Sequence, residues 1–302
     1  KFKEHVQASL RRHVAAINTL VQKGMKFWDY GNSFLLEASR AGADVMAADG
    51  RNFKFPSYVQ DIMGDIFSLG FGPFRWVCTS GLESDLVITD QIAAEVIQKI
   101  SKNATERSQK QFKDNLTWIQ QAHDQKLVVG SQARILYSDA EGRAAIALEF
   151  NEAVRQGRLK APVVISRDHH DVSGADSPFR ETSNITDGSS FCADMAVQNC
   201  IGDSFRGATW VALHNGGGTG WGEAINGGFG LVLDGTPDAS RRAKQMLQWD
   251  VLNGVTRRAW GKNENAEETI KRAMEQDPKL KVTLPYHTQT STLESAFKQF
   301  QN

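Results

Sequence analysis

Two stretches of the chain combine residue types that do chemistry. Ser166-Arg167-Asp168-His169-His170-Asp171 follows directly on the apolar run 161–165. A carboxylate there can accept a proton or hold a polar ring, with histidine as its neighbour. Ligands of α/β sheets gather beyond the carboxyl ends of strands, which is where this stretch falls. Adjacent His169 and His170 diverge in an extended chain, so one metal would need further ligands such as Asp176 or His214. No recognised metal-ligand spacing is present, and a hydrogen-bonded loop with Asp168 capping a turn competes with the functional reading. The second stretch is His214-Asn215-Gly216-Gly217-Gly218-Thr219-Gly220-Trp221-Gly222, running on to Gly227-Gly228 between strand-like runs 208–213 and 229–233. Bare backbone of this kind serves either a long turn or a cradle of N–H groups for an anion. Neither G-x-x-x-x-G-K-[ST] nor G-x-G-x-x-G fits its glycines.

Two arginines share a setting. Gly72-Pro73-Phe74-Arg75-Trp76 and Ser177-Pro178-Phe179-Arg180-Glu181-Thr182 each place an arginine after a proline-aromatic pair, on an expected rigid turn. Such a guanidinium fork can grip a carboxylate bidentately; an internal salt bridge or a surface arginine is the plain alternative. Cys78 has no base nearby and reads as a buried small hydrophobe. Tyr30 is either a core aromatic or a ligand contact. Trp210 and Trp221 read as packing residues, with Trp221 able to border a planar ligand. A Ser-His-Asp hydrolase would need a G-x-S-x-G elbow, which the chain lacks.

The elements that must hold these residues are legible from periodicity. An amphipathic helix (Val6, Leu10, Val14, Ile17, Val21) opens the chain and ends near Gly24. An aromatic strand 27–30, a helix 33–40, a short helix 59–67 and a Gly-Pro turn at 71–76 follow. A long helix is expected from 85 to 100, continuing after a break toward 125. From 133 strands alternate with helices: strand 133–137, helix 142–156, strand 161–165, helix 191–200, the two strands around the glycines, and helix 238–250. The expectation is an α/β layered sheet with flanking helices, divided into an opening helix 1–24, a core 25–260 and a charged helical tail 261–302.

Bulk properties exclude several classes. The chain has 302 residues with 35 basic and 35 acidic side chains, which removes the electrostatic case for nucleic acid or an anionic membrane as main partner. No apolar run reaches the roughly 18 residues of a membrane span, and with no n-region, apolar h-region and cleavage site visible at the start, no export signal is expected. Three cysteines without pairing pattern fit a reducing, cytoplasmic setting.

Tyr30-Gly31-Asn32, Gly72-Pro73-Phe74-Arg75-Trp76, Arg167-Asp168-His169-His170-Asp171, Pro178-Phe179-Arg180-Glu181-Thr182, Gly207-Ala208-Thr209-Trp210-Val211 and His214-Asn215-Gly216-Gly217-Gly218 resemble the urocanase (urocanate hydratase) family in this same order. The resemblance runs from about 28 to 258, and the form Arg167-Asp168-His169-His170-Asp171-Val172-Ser173-Gly174 is similar to eukaryotic-type members. It implies a lyase of histidine catabolism that adds water to urocanate to give imidazolonepropionate. NAD⁺ would serve there as an electrophile bonded reversibly to the imidazole ring. On this resemblance Arg75 binds the propenoate carboxylate, Asp171 handles protons near the ring with His170 beside it, and Arg180 is a further substrate-side arginine. Tyr30, Gly216 and Gly217 contact NAD⁺, no metal takes part, and the full-length enzyme is a homodimer. At Leu136 bacterial members commonly carry a cysteine, so a mechanism needing that thiol does not transfer.

The family's dinucleotide-binding domain precedes its Tyr-Gly-Asn motif, and the expectation is that it is absent here. The chain would then be the C-terminal part of the enzyme, inactive alone. Two other readings stay open: a non-catalytic fragment that binds small carboxylates, and a metal-dependent hydrolase built on His169, His170 and Asp171.

Overall fold

The computed structural model describes residues 1–29, 34–127, 130–167, 194–215 and 225–300; for residues 59, 60, 194–196, 214, 215, 225, 226, 299 and 300 it describes the backbone alone. Tyr30, His170, Asp171, Arg180, Gly216 and Gly217 lie outside the described residues.

The opening helix α1 (Phe2–Gln22) is closed by Gly24, whose φ of +96° suits a residue without Cβ. It packs on α2 (Phe34–Arg40), and Val14, Leu35, Ala38, Val45 and Phe55 form a small core of their own. The aromatic run after α1 does not become a strand in its described part. Asp29 makes only an isolated bridge to Ser57.

A π-helical turn (Tyr58–Met63) leads into α3 (Gly64–Ser68) and then into β1 (Gly72–Cys78). The expected Gly-Pro turn is therefore a strand, and Arg75 stands on it. Proline is tolerated because β1 pairs with its second neighbour only from Arg75 onward, so Pro73 owes no N–H to that side. Helices α4 (Glu83–Ile100) and α5 (Glu106–Gln121) follow, separated by a 3₁₀ turn. Then come β2 (Ala133–Ser138), α6 (Ala140–Arg155), β3 (Val163–Arg167), α7 (Asp194–Phe205), β4 (Trp210–Asn215), β5 (Ile225–Leu233), α8 (Pro237–Trp260), α9 (Glu264–Gln276) and α10 (Thr290–Phe300). Side-chain caps start three of the helices: Asp139 accepts from the Gly142 N–H, Thr236 from Ala239 and Asn263 from Ala266.

The sheet has the order β2-β1-β3-β5-β4 with every pairing antiparallel. Alternation separates its faces. Phe74, Trp76, Leu136, Ile165, Phe229 and Leu231 are buried on one face, where α6, α7 and α8 contact the strands. The opposite face, with Arg75, Val77, Val164 and Ser166, is only partly buried. Edge strand β2 is covered by α5, whose Trp118 Nε1 and Asn115 Nδ2 donate to the carbonyls of Ile135 and Tyr137. Leu136 is fully packed in the core. A second cluster joins Met63 and Phe67 to α8 and α9 through Val251, Val255, Ala259, Ala266 and Ile270.

Candidate active site

Arg75 is the one expected site residue among those described, and strand register gives it its neighbours. Across the partly open face, Ile135, Arg75, Ser166, Gly230 and Trp210 stand opposite one another on successive strands. A Cβ at Gly230 would lie 1.8 Å from Cζ2 of Trp210, so the bare glycine is what lets the indole cross the strand. The result is a cavity of about 260 Å³ lined by Arg75, Ser166, Arg167, Trp210, Ala212, Gly228 and Phe229. It offers a guanidinium and a hydroxyl beside an apolar wall, a set that suits a small flat anion.

Behind this cavity lies a buried charge cluster that the sequence reading did not assemble. Arg167, at the end of β3, donates from Nη1 to the Gly227 carbonyl (2.9 Å) and from Nη2 to Asn199 Oδ1 (2.6 Å). Its Nε is 3.0 Å from Asp250 Oδ2, its Nη2 is 3.6 Å from Asp203 Oδ2, and its guanidinium lies 5.5 Å from the Phe229 ring centre. Asn199 donates on to Asp250 Oδ1 at 3.2 Å, and Arg143 from α6 reaches Asp250 Oδ2 at 3.7 Å. Arg143, Arg167, Asp203 and Asp250 are all buried. Burial, followed by the negative charge of Asp250, pushes the Asp203 carboxyl well above the ordinary carboxylate range, with Arg167 opposing. Asp203 and Asp250 sit on separate helices, so no local spacing announces them. Only Arg167 falls within the Arg167-Asp168-His169-His170-Asp171 motif.

The other buried pair is structural. Arg134 grips Asp90 through Nε (3.0 and 3.1 Å) and Nη2 (2.8 Å), and burial still raises the Asp90 pKa against that pull. Cys78 is buried near Thr89, and burial drives its thiol up to about 11, so it is no nucleophile. Among the described residues no group of three or more His, Cys, Asp or Glu could hold a metal ion. No described helix is long and apolar enough to cross a membrane.

The described cavity alone does not hold a whole dinucleotide, and Tyr30, Gly216 and Gly217 lie outside the described residues. The cavity is smaller than the roughly 300–1,000 Å³ of sites for drug-sized ligands. The space a Cβ would take at Gly230 and Gly227 is filled by Trp210 and by the Ala212 carbonyl.

Fold and site together define an α/β protein with an antiparallel sheet and a small arginine-bearing cavity at one end of it. Residues 65–272 match the family description "Urocanase C-terminal domain", and residues 1–62 match "Urocanase Rossmann-like domain". The chain belongs to the urocanase family. It is 67% identical over 299 residues to a "Probable urocanate hydratase" of Dictyostelium discoideum, covering 98% of this chain and 44% of that protein. It is 64% identical over 288 residues to the "Urocanate hydratase" of Mus musculus, covering 94% and 43%. The corresponding protein of Homo sapiens gives the same identity and coverage. The chain thus spans less than half the length of these relatives. The match at 1–62 narrows the expectation about the dinucleotide-binding domain, since α1 and α2 carry sequence assigned to the Rossmann-like part.

Proposed function

We propose that the chain works in urocanate hydration, with Arg75 holding the propenoate carboxylate of urocanate. The observation that carries this reading is the row Arg75, Ser166, Gly230, Trp210 across one sheet face. It puts a guanidinium at one side of a small cavity and an indole at the other. An anion needs the first and a flat conjugated ring is accommodated by the second.

Asp171 is the proton-handling group in this reading, with His170 and Arg180 on the substrate side. Tyr30, Gly216 and Gly217 contact NAD⁺ as cofactor, an assignment supported by the family resemblance and by the Rossmann-like match of residues 1–62. A cytoplasmic lyase of histidine breakdown, homodimeric at full length, follows from the same resemblance. The identity to urocanate hydratases over nearly the whole chain favours it over the small-carboxylate fragment and the metal hydrolase.

Calorimetric titration with urocanate tests the reading. Arg75→Ala removes one partner of a charge-assisted pair, so affinity should fall by about 2–5 kcal/mol, roughly thirtyfold to several-thousandfold. Unchanged affinity in Arg75→Ala, with the fold intact, would sink the carboxylate role.

A further inference from the structure

The Arg143–Arg167–Asp203–Asp250 cluster is absorbed neither by the proposed chemistry nor by ordinary packing. Asp203 is 1% exposed, and neither of its carboxyl oxygens accepts a hydrogen bond among the described residues. The cation beside it, Arg167, stands at 3.6 Å, while the same guanidinium makes its closer contacts to Asp250, Asn199 and the Gly227 carbonyl. Asp250, 0% exposed, meets both arginines, and its Oδ2 accepts no hydrogen bond of good geometry. The Asp203 and Asp250 carboxyls are within hydrogen-bonding reach of each other.

Two buried carboxylates cannot face each other at that range with only one of them well paired. One proton between them gives Asp250 Oδ2 a donor and removes one of the two facing negative charges. Protonated Asp203 becomes a donor, Asp250 Oδ2 becomes its acceptor, and Asp250 remains the single anion that both arginines share. Two positive and two negative groups then become two positive and one negative.

We propose that Asp203 and Asp250 share one proton at neutral pH, so that the buried cluster carries a surplus positive charge behind the cavity lined by Arg75 and Arg167 and favours an anionic ligand there. Asp203 is the proton-bearing member, because Asp250 has the closer cationic partners. The groups facing Asp203 are Arg167 from β3 and Asp250 from α8, with Cys200 on its own helix; Arg143 from α6 faces Asp250 and also the buried carboxyl of Asp139. Arg167 holds the cluster to the strand end and acts on a ligand through its field, as a positioning residue.

The anion part rests on the carboxylate reading of the Arg75 cavity; the proton part does not. Infrared spectroscopy of the whole chain at pH 7 decides the proton part, since a protonated carboxyl absorbs well apart from a carboxylate. The expected result is an acid band that shifts when aspartate is labelled with ¹³C and that weakens in Asp203→Asn. No ¹³C-sensitive acid band in the native chain overturns the proposal, and this measurement needs no variant to fold. An acid band of undiminished strength in Asp203→Asn overturns it as well.

Urocanate titration of the same variant supplies the second arm. Asn replaces a neutral acid at no change of charge, so affinity should stay within about twofold. A tenfold tightening would mean that Asp203 had been ionised, and would overturn the proposal. If the native chain shows the acid band yet binds no urocanate, the carboxylate reading fails while the shared proton stands.

Discussion

At the scale of single residues, chemistry and burial pull on the same groups. Arg75 was legible as a carboxylate-binding candidate from its type and from the proline-aromatic pair before it. Its support was not, because the expected turn is a strand whose proline lies beyond the reach of the second ladder. Arg167 was legible only as a motif member, and Asp203 and Asp250 not at all, since helices far apart in sequence bring them together. Their burial has a consequence for stability. The Asp203 pKa is raised in the fold, so above the ordinary carboxylate range the native chain binds a proton that the unfolded chain has lost. Stability must therefore fall as pH rises through that range and beyond. In Asp203→Asn this loss should disappear. Denaturant unfolding of both chains at pH 5 and pH 8 checks it: the variant should gain relative to the native chain at the higher pH, and a parallel pair of curves would contradict the raised pKa.

At the scale of elements, most helices and strands declared themselves through period and punctuation. The opening helix ended at its glycine, and the break between α4 and α5 fell inside one long helical stretch. The aromatic run 27–29 failed as a strand because its described part meets a partner at one bridge alone. Glycine in β5 carried a message that spacing could not resolve. Gly230, inside the expected strand 229–233, clears the sheet surface for the Trp210 indole. Gly230→Ala puts a methyl group where that ring lies and should cost about 1–3 kcal/mol by overpacking. Trp210→Ala in the same background should return part of that loss, because it removes the clashing ring. Additive costs in the double-mutant cycle would refute the contact.

At the scale of the whole molecule, burial divides the chain more clearly than composition does. Val14, Leu35, Ala38, Val45 and Phe55 pack together in residues 1–62, the part that matches the Rossmann-like domain, and share no member with the sheet core. Leu35→Ala should destabilise by about 2–5 kcal/mol as a buried cavity mutation. The loss should be local. Amide hydrogen exchange should show α1 and α2 losing protection while β1, β3 and β5 keep theirs; uniform loss would show the two cores to be one cooperative unit.

The order of motifs, the helical and strand periods, the charge balance and the family were determined by sequence alone, because each is carried by residue types at short or fixed separations. Which face of the sheet Arg75 occupies, what stands beside it, and that two distant aspartates meet behind it were decided by tertiary structure. Strand register and helix docking bring together residues that no local spacing relates, and burial then changes what those residues are: a carboxyl that would be an ordinary surface anion becomes an acid held against its neighbour.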